Sequence, residues 1–211
     1  MSNKATILPK LILAVEKSIA SNAEELTELD QAIGDGDHVS NLQRGLQALT
    51  AQGDALSQLD WQAALQKLGM TVMSSIGGAS GSLYGTLFLA MSKGLQDKEL
   101  NPASFPEVFW KGVEAVKQRG KAEKGEKTML DVLIPVAEAL LQQANKPGVL
   151  EHIAQTAKTG AESTRDMIAT KGRASYLGER SRGHIDAGAK SSQLMICAII
   201  DKLADSLASP S

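Results

Sequence analysis

The chain has 211 residues, enough to bury a full hydrophobic core, and this length predicts a single domain spanning residues 1–211. Its 22 Lys and Arg nearly balance its 24 Asp and Glu, and no basic stripe is visible, which argues against a nucleic-acid partner. One cysteine excludes an intrachain disulfide, and charges interrupt the apolar segment 7–20, which excludes a membrane span and a signal peptide. We therefore expect a cytoplasmic protein that makes no contact with a membrane.

Apolar residues recur at helical spacing along most of the chain. Amphipathic helices are predicted at the N terminus, from Ile7 to Ile19, and at the C terminus, from Met195 to Leu207. Between them, helices are predicted near residues 41–51, 60–76, 81–94, 105–119, 129–144 and 150–170. No alternation of apolar and polar residues is long enough to predict a strand, so the expected architecture is all-α.

Four glycine-rich clusters interrupt this helical pattern, at residues 34–37, 77–85, 120–128 and 172–188. In a bundle of up-and-down helices, alternate connections emerge at the same end. Loops of this kind often carry function, so the four clusters are expected to converge on one site.

The first cluster contains three aspartates, Asp30, Asp35 and Asp37, around two glycines and without a basic residue. Carboxylate oxygens suit Mg²⁺ or Ca²⁺, and glycines allow a tight loop to direct several carboxylates to one point. The spacing departs from an EF-hand, and three aspartates favour more than one Mg²⁺ ion on a polyphosphate. The alternative is a solvated acidic turn in which Asp37 caps the following helix.

The second cluster, Gly77-Gly78-Ala79-Ser80-Gly81-Ser82, precedes a predicted helix. Backbone N–H groups at a helix start bind anions, and glycine permits close approach of a phosphate. The alternative is a flexible turn or a tight crossing of two helices, because small residues serve both purposes.

The third cluster, residues 120–128, is similar to a Walker A loop, but Glu126 separates its second glycine from Lys127. A predicted helix, and not a strand, precedes it, so we reject a P-loop. The interpretation that remains is a charged loop in which Thr128 caps the next helix and Asp131 supports the cap.

The fourth cluster, from Lys171 to Gly188, mixes arginines and hydroxyls with His184 and Asp186. Such a segment is able to close as a lid on phosphates, and the alternative is a plain surface loop. No nucleophile with a partner base is apparent, so no catalytic residue is assigned beyond ligands of metal and nucleotide. The four clusters together indicate nucleotide handling.

The clusters resemble the L subunit of dihydroxyacetone kinase, which also occurs as the C-terminal domain of single-chain dihydroxyacetone kinases. The matching stretches are LDQAIGDGDHVSNLQRG (29–45), GMTVMSSIGGASGSLYGTLF (69–88), RGKAEKGEKTMLDVLIPV (119–136) and KGRASYLGERSRGHIDAGA (171–189). Ser82 and Ala187 stand where the family pattern has proline. Neither substitution removes a ligand, although both are expected to loosen a loop.

The resemblance implies an all-α barrel of about eight antiparallel amphipathic helices, with a nucleotide site formed by loops at one end. It implies that Asp30, Asp35 and Asp37 ligate two Mg²⁺ ions that bridge the phosphates of ADP or ATP. The nucleotide-binding residues carried over from the family are His38, Val39, Ser40, Asn41, Ala79, Ser80, Gly120, Thr128, Met129, Arg173, Asp186, Ala187 and Gly188.

The resemblance also implies partners. In the family, dihydroxyacetone is held by a separate K subunit, and ADP that stays on the L subunit is recharged by a phosphohistidine protein, the M subunit. The product is dihydroxyacetone phosphate. The alternatives are an ATP-dependent subunit that exchanges free ATP, including the related fatty-acid kinases, a nucleotide-binding module that acts on a transcriptional regulator, and a helical scaffold with incidental acidic turns.

Overall fold

Ten α-helices occupy the described part of the chain, which covers residues 4–96, 98–143 and 146–208 of a computed structural model. The helices are α1 (Leu8–Ser21), α2 (Ala23–Ile33), α3 (His38–Thr50), α4 (Gly53–Gln58), α5 (Trp61–Ser75), α6 (Gly78–Gly94), α7 (Phe105–Gly120), α8 (Leu130–Gln143), α9 (Val149–Ser163) and α10 (Ala187–Ala208). Two 3-10 segments, Thr164–Asp166 and Arg173–Ser181, lie between α9 and α10. The described residues form no β-strand, which confirms the all-α prediction.

The predicted helix over 150–170 is wrong at its C-terminal end. Helix α9 ends at Ser163, and the backbone at Met167 is extended, with ψ of 150°. The hydroxyl of Thr164 donates to the carbonyl of Ala161 and accepts the N–H of Asp186, so a tertiary contact ends the helix. The predicted segment 129–144 corresponds to α8, and its last residue lies outside the described residues.

The long helices pack against one another in a closed order. Helix α1 contacts α3, α3 contacts α5, each helix from α5 to α9 contacts the next, and α10 contacts α1. Helix α2 lies against α3 and α10 beside this ring. No helix in the described ranges combines the length and the hydrophobicity that crossing a membrane would require.

One hydrophobic core joins the whole ring and reaches from Ala5 to Ile200. Helix α1 contributes Ile19 and α7 contributes Val113, both without solvent exposure. Complete burial of an aliphatic side chain of this size stabilises a fold by about 1.5–3 kcal/mol. The core therefore holds the helix ends in place, and with them the loops of the candidate site.

Helices α5 and α6 cross at a pair of glycines. A Cβ atom at Gly69 would lie 3.0 Å from the carbonyl of Gly85, and one at Gly85 would lie 3.1 Å from the carbonyl of Gly69. This crossing agrees with the tight-packing alternative for the second glycine cluster. The same packing fixes the start of α6, where Gly77 and Ser80 lie.

Candidate functional site

Three carboxylates converge between α2 and α3. Asp30 lies on the buried face of α2, whereas Asp35 and Asp37 are exposed in the loop that follows. One oxygen from each aspartate lies within 4.8 Å of the others, a spacing suited to a shared cation. Hard divalent cations take ligands of this type. The donor set therefore fits Mg²⁺, as the sequence predicts.

The loop that carries these carboxylates is fixed by bonds to Asp30. The N–H of His38 donates to Asp30 Oδ2 at 3.0 Å, and the N–H of Gly34 donates to the Asp30 carbonyl at 2.5 Å. A Cβ atom at residue 34 would overlap Asp30 Oδ1, so only glycine fits there. Gly36 has a φ of 77°, in the region that favours glycine.

The capping alternative for Asp37 receives no support from hydrogen bonding. Asp37 occupies the N-cap position of α3, but its side chain accepts no capping hydrogen bond. A neighbouring cation offsets part of the negative charge, since Arg173 Nε lies 2.8 Å from Asp35 Oδ2. The carboxylate of Asp37 does not cap α3 and is therefore available as a cation ligand.

The start of α6 lies beside this acidic loop. Ser80 Oγ is 3.1 Å from His38 Nδ1, which joins the second glycine cluster to the first. A Cβ atom at Gly77 would lie 2.9 Å from Asn41 Oδ1, so glycine permits the close approach of α3. N–H groups at the first turn of a helix attract anions. The acidic loop and the N terminus of α6 therefore lie side by side.

A buried hydrogen-bond network connects this region to α10. His38 Nε2 lies 2.9 Å from Ser191 Oγ, and the hydroxyl of Tyr84 lies 2.8 Å from Ser192 Oγ and 3.4 Å from Ser191 Oγ. Both serine hydroxyls donate to the carbonyl of Gly188. The network joins α3, α6 and α10 at one end of the ring.

Burial lowers the pKa of His38 below its ordinary value, despite the nearby aspartates, and so favours the neutral imidazole in this network. Burial also raises the pKa of Tyr84, so the phenol keeps its proton. Both ring nitrogens of His38 are engaged by protein hydroxyls, and its side chain therefore positions Ser80 and Ser191. The sequence pattern does not single out Tyr84, Ser191 and Ser192 as members of a network. The one feature that could have indicated them is that their hydroxyls lie on inward helix faces.

The turn that begins α10 is the second part of the site. The half-buried carboxylate of Asp186 accepts the N–H of Ala189 at 2.8 Å, and burial raises the pKa of Asp186 to about 6. A Cβ atom at Gly188 would lie 3.8 Å from the backbone nitrogen of Met129, so the third and fourth clusters touch here.

The predicted cap of α8 is present. The N–H of Thr128 donates to Asp131 Oδ2 at 2.8 Å, and the hydroxyl of Thr128 accepts the N–H of Leu130 at 3.1 Å. The other oxygen of Asp131 accepts the N–H of Gly125 at 2.5 Å. Asp131 therefore closes the loop that brings Met129 to α10.

The segment Arg173–Ser181 lies against the end of α2. A small hydrophobic cluster of its own joins Ile33 of α2 to Ala169, Ala174 and Leu177. With the ion pair between Arg173 and Asp35, this cluster places the predicted lid beside the carboxylates.

The remaining predicted site residues differ in exposure. Val39 and Ala187 are buried, whereas Ser40 and Ala79 are exposed. Gly120 ends α7, and its neighbour Arg119 donates to Ser82 Oγ at 2.8 Å. Ser82 thus has a defined partner at the position where the family pattern has proline.

Comparisons with known proteins agree on one family. A family model described as the DAK2 domain matches residues 32–201. The chain is 44% identical over 182 residues to an ADP-binding subunit of PEP-dependent dihydroxyacetone kinase 1 from Listeria innocua, with 86% of this chain and 88% of the relative covered. It is 43% identical to the corresponding ADP-binding subunit from Escherichia coli, with 84% and 87% covered.

A solved structure has a similar fold. It is the dihydroxyacetone kinase from C. freundii in complex with AMP-PNP and Mg²⁺, with a TM-score of 0.72 and 25% sequence identity. The similarity covers 95% of this chain and 34% of that one. The match thus takes in almost all of this chain and about a third of the longer kinase.

Proposed function

Because the chain belongs to the DAK2 domain family, we propose that it is the ADP-binding subunit of a PEP-dependent dihydroxyacetone kinase. The relatives at 44% and 43% identity carry this function in their names and match the chain over most of both lengths. The enzyme class is a phosphotransferase with dihydroxyacetone as the acceptor.

The observation that carries the proposal is the group of carboxylate oxygens from Asp30, Asp35 and Asp37 within 4.8 Å of one another. We propose that these residues hold two Mg²⁺ ions, which when bound neutralise phosphate charge that opposes phosphoryl transfer. Asp30 is held in position by the N–H of His38, so the site is preorganised before any ligand arrives.

We infer that this chain contributes to the reaction by positioning the phosphates of the nucleotide. Ser80 at the start of α6 lies beside the acidic loop, where its hydroxyl and the helix N terminus are placed to orient phosphate oxygens. We infer that Arg173, which pairs with Asp35, adds a guanidinium to the same phosphates. The proposed nucleotide ligands are His38, Val39, Ser40, Asn41, Ala79, Ser80, Gly120, Thr128, Met129, Arg173, Asp186, Ala187 and Gly188.

The proposed reaction needs two further proteins. A K subunit would present dihydroxyacetone to the nucleotide end of this chain, and a phosphohistidine M subunit would recharge ADP. The glycine clusters lie at that end, which supports docking there. A transcriptional regulator as an additional partner, and a cytoplasmic location, stay predictions.

We also propose that the eight helices α1, α3 and α5–α10 form a barrel and that residues 1–211 are one domain. The closed order of helix contacts supports the barrel. The core that reaches from Ala5 to Ile200 supports the single domain.

The first experiment identifies the bound nucleotide. The protein is purified without added nucleotide, dialysed with Mg²⁺ and denatured, and the released nucleotide is quantified. We expect one equivalent of ADP, which a chelator removes. Asp37→Ala is expected to abolish retention and leave the helical circular dichroism unchanged, because Asp37 makes no capping bond. Asp54→Ala, on the exposed face of α4, is the matched control.

The outcomes separate the alternatives. A protein that is empty but binds added ATP is an exchanging ATP-dependent kinase subunit. A protein that binds neither nucleotide is a scaffold, and retention that is unchanged in Asp37→Ala contradicts the metal site. Phosphoryl transfer to dihydroxyacetone that requires added K and M subunits supports the full proposal.

A further inference from the structure

Lys127 is a buried cation that the proposed reaction does not use. Only 1% of the residue is exposed, and its Nζ donates to the carbonyls of Thr164, at 2.5 Å, and His184. No carboxylate in the described part of the chain lies within ion-pair distance of it. Burial of a charge is costly, and a methionine of similar length would avoid that penalty.

The backbone at Lys127 adds a second penalty. Its φ is 61°, in the left-handed region where glycine is favoured. A glycine would relieve the backbone, but it would lose the ammonium. The residue is nevertheless buried with its Nζ bound to two carbonyls, which indicates that these contacts outweigh both penalties.

The two carbonyls that Lys127 binds belong to different segments. Thr164 directly follows the C terminus of α9, where carbonyl groups lack helical partners and a cation is favourable. His184 lies two residues before Asp186. Lys127 therefore fastens the end of α9 to the segment that enters α10.

Two further hydrogen bonds extend this connection to the candidate site. The hydroxyl of Thr164 accepts the N–H of Asp186 at 3.0 Å, and the Asp186 carboxylate accepts the N–H of Ala189. On the other side, the next residues after Lys127 are Thr128 and Met129, and Met129 lies against Gly188. The Lys127 ammonium thus links its own loop to the segment that enters α10, at the place where the third and fourth glycine clusters touch.

The acidic loop has contacts of its own. The N–H groups of His38 and Gly34 bind Asp30, Arg173 pairs with Asp35, and Lys127 takes part in none of these contacts. The one link from this loop to Gly188 that is described above runs through the His38 ring and Ser191, and it does not involve Lys127. Phosphates would bind at that loop, so the ribose and base would extend away from it.

We propose that Lys127 is a positioning residue that clamps the loop 125–129 to the segment 184–188 and so shapes the half of the site that receives the ribose and base. The inference rests on the proposed nucleotide-binding function. It predicts that loss of the ammonium weakens the binding of a nucleoside diphosphate but leaves the binding of its phosphate portion unchanged.

The test compares two ligands on three proteins. Affinities for ADP and for inorganic pyrophosphate are measured by titration calorimetry with Mg²⁺, on the wild type, Lys127→Met and the control Lys124→Met. Lys124 is an exposed lysine that directly precedes this loop. For Lys127→Met we expect ADP to bind about ten-fold more weakly, as for loss of a residue that orients ligands, and pyrophosphate to bind within about two-fold of the wild type. Lys124→Met is expected to match the wild type.

Hydrogen exchange tests the clamp without any ligand. Amides in 125–129 and 184–189 are expected to exchange faster in Lys127→Met, while amides of the acidic loop 34–38 keep their rates. Unchanged exchange in the folded variant would overturn the clamp. An unchanged affinity for ADP, or an equal loss for ADP and pyrophosphate, would overturn the assignment to the ribose and base.

If Lys127→Met does not fold, Thr164→Val tests the next link of the same connection, because it keeps the carbonyl that Lys127 binds but breaks the bond to Asp186. It keeps the volume of the buried Thr164 but removes the acceptor for the Asp186 N–H, so the same split between ADP and pyrophosphate is expected. A wild-type protein that binds neither ligand would instead contradict the proposed function, and the exchange rates would still decide whether Lys127 is a clamp.

Discussion

Individual carboxylates in this site differ in what surrounds them. Asp30 is buried but accepts the N–H of His38, whereas Asp186 is half-buried and has its pKa raised to about 6 by burial. A raised pKa means that the folded state binds the proton more tightly than the unfolded chain does. Deprotonation of Asp186 therefore lowers stability as the pH rises from about 4 to about 6.

We expect Asp186→Asn to stabilise the nucleotide-free protein above pH 6 and to have no such effect at pH 4. The shift from 3.8 to about 6 corresponds to at most about 3 kcal/mol, and solvent screening of the half-buried group reduces this to about 1–2 kcal/mol. The amide oxygen of asparagine is able to keep the cap on Ala189. Urea denaturation at pH 4 and pH 8, with chelator, measures the difference.

The control for this titration is Asp201→Asn, which changes an exposed aspartate of the same helix. It should leave the dependence of stability on pH unchanged. A stability gain in Asp186→Asn that is the same at pH 4 and pH 8 would show that the carboxylate charge is not its cause.

At the residue level, the sequence singles out residues in and beside the glycine-rich clusters, and it gives no sign of polar residues in the middle of long helices. Asp35 and Asp37 are visible because three aspartates without a basic neighbour need an explanation. Tyr84 and Ser191 lie within long helices, where nothing in the local pattern distinguishes a network residue from a packed one. Their role appears only when α6 and α10 are brought together.

At the level of elements, the sequence pattern predicts neither α2 nor the short helix α4, and of these two α2 carries part of the candidate site. Its buried positions are Leu26, Asp30 and Ile33, which follow helical spacing, but the central one is an aspartate. A carboxylate on the inward face thus interrupts the hydrophobic period from which helices are inferred. For this reason the apolar pattern alone does not reveal α2, the helix that carries Asp30.

The segment Arg173–Ser181 depends on few contacts, so it should open separately from the core. Leu177→Ala removes a half-buried side chain from the cluster that joins this segment to Ile33. A loss of about 1 kcal/mol of local stability raises the open population about five-fold. We expect trypsin to cleave at Arg173, Arg180 and Arg182 faster by a similar factor, as followed by mass spectrometry, with little change in the main thermal transition.

Leu141→Ala is the control for the opening of this segment, because Leu141 is 47% exposed on α8 and lies outside the cluster. It should leave the cleavage rate unchanged. A Leu177→Ala protein that resists trypsin as well as the wild type does would mean that the segment opens only with the whole fold.

At the level of the whole molecule, the order of the helices around the ring was not predictable from residue patterns alone. Periodicity shows that α1 and α10 each have an apolar face, but not that the two faces meet. That pairing joins the two ends of the chain and depends on contacts distant in sequence. The all-α class followed from composition and period, while the closure of the ring follows from tertiary packing.

Because α1 shares one core with every other long helix, the chain should unfold as a unit, as one domain. Ile19→Ala removes a side chain without solvent exposure and is expected to lower stability by about 2–5 kcal/mol. The fluorescence of Trp61 and Trp110 reports on α5 and α7, and far-UV circular dichroism reports on all helices. Both signals should shift together to a lower temperature, whereas Leu13→Ala, at a 42% exposed position of the same helix, should shift them little. Separate transitions for the two signals would divide the chain into two folding units and contradict the single domain.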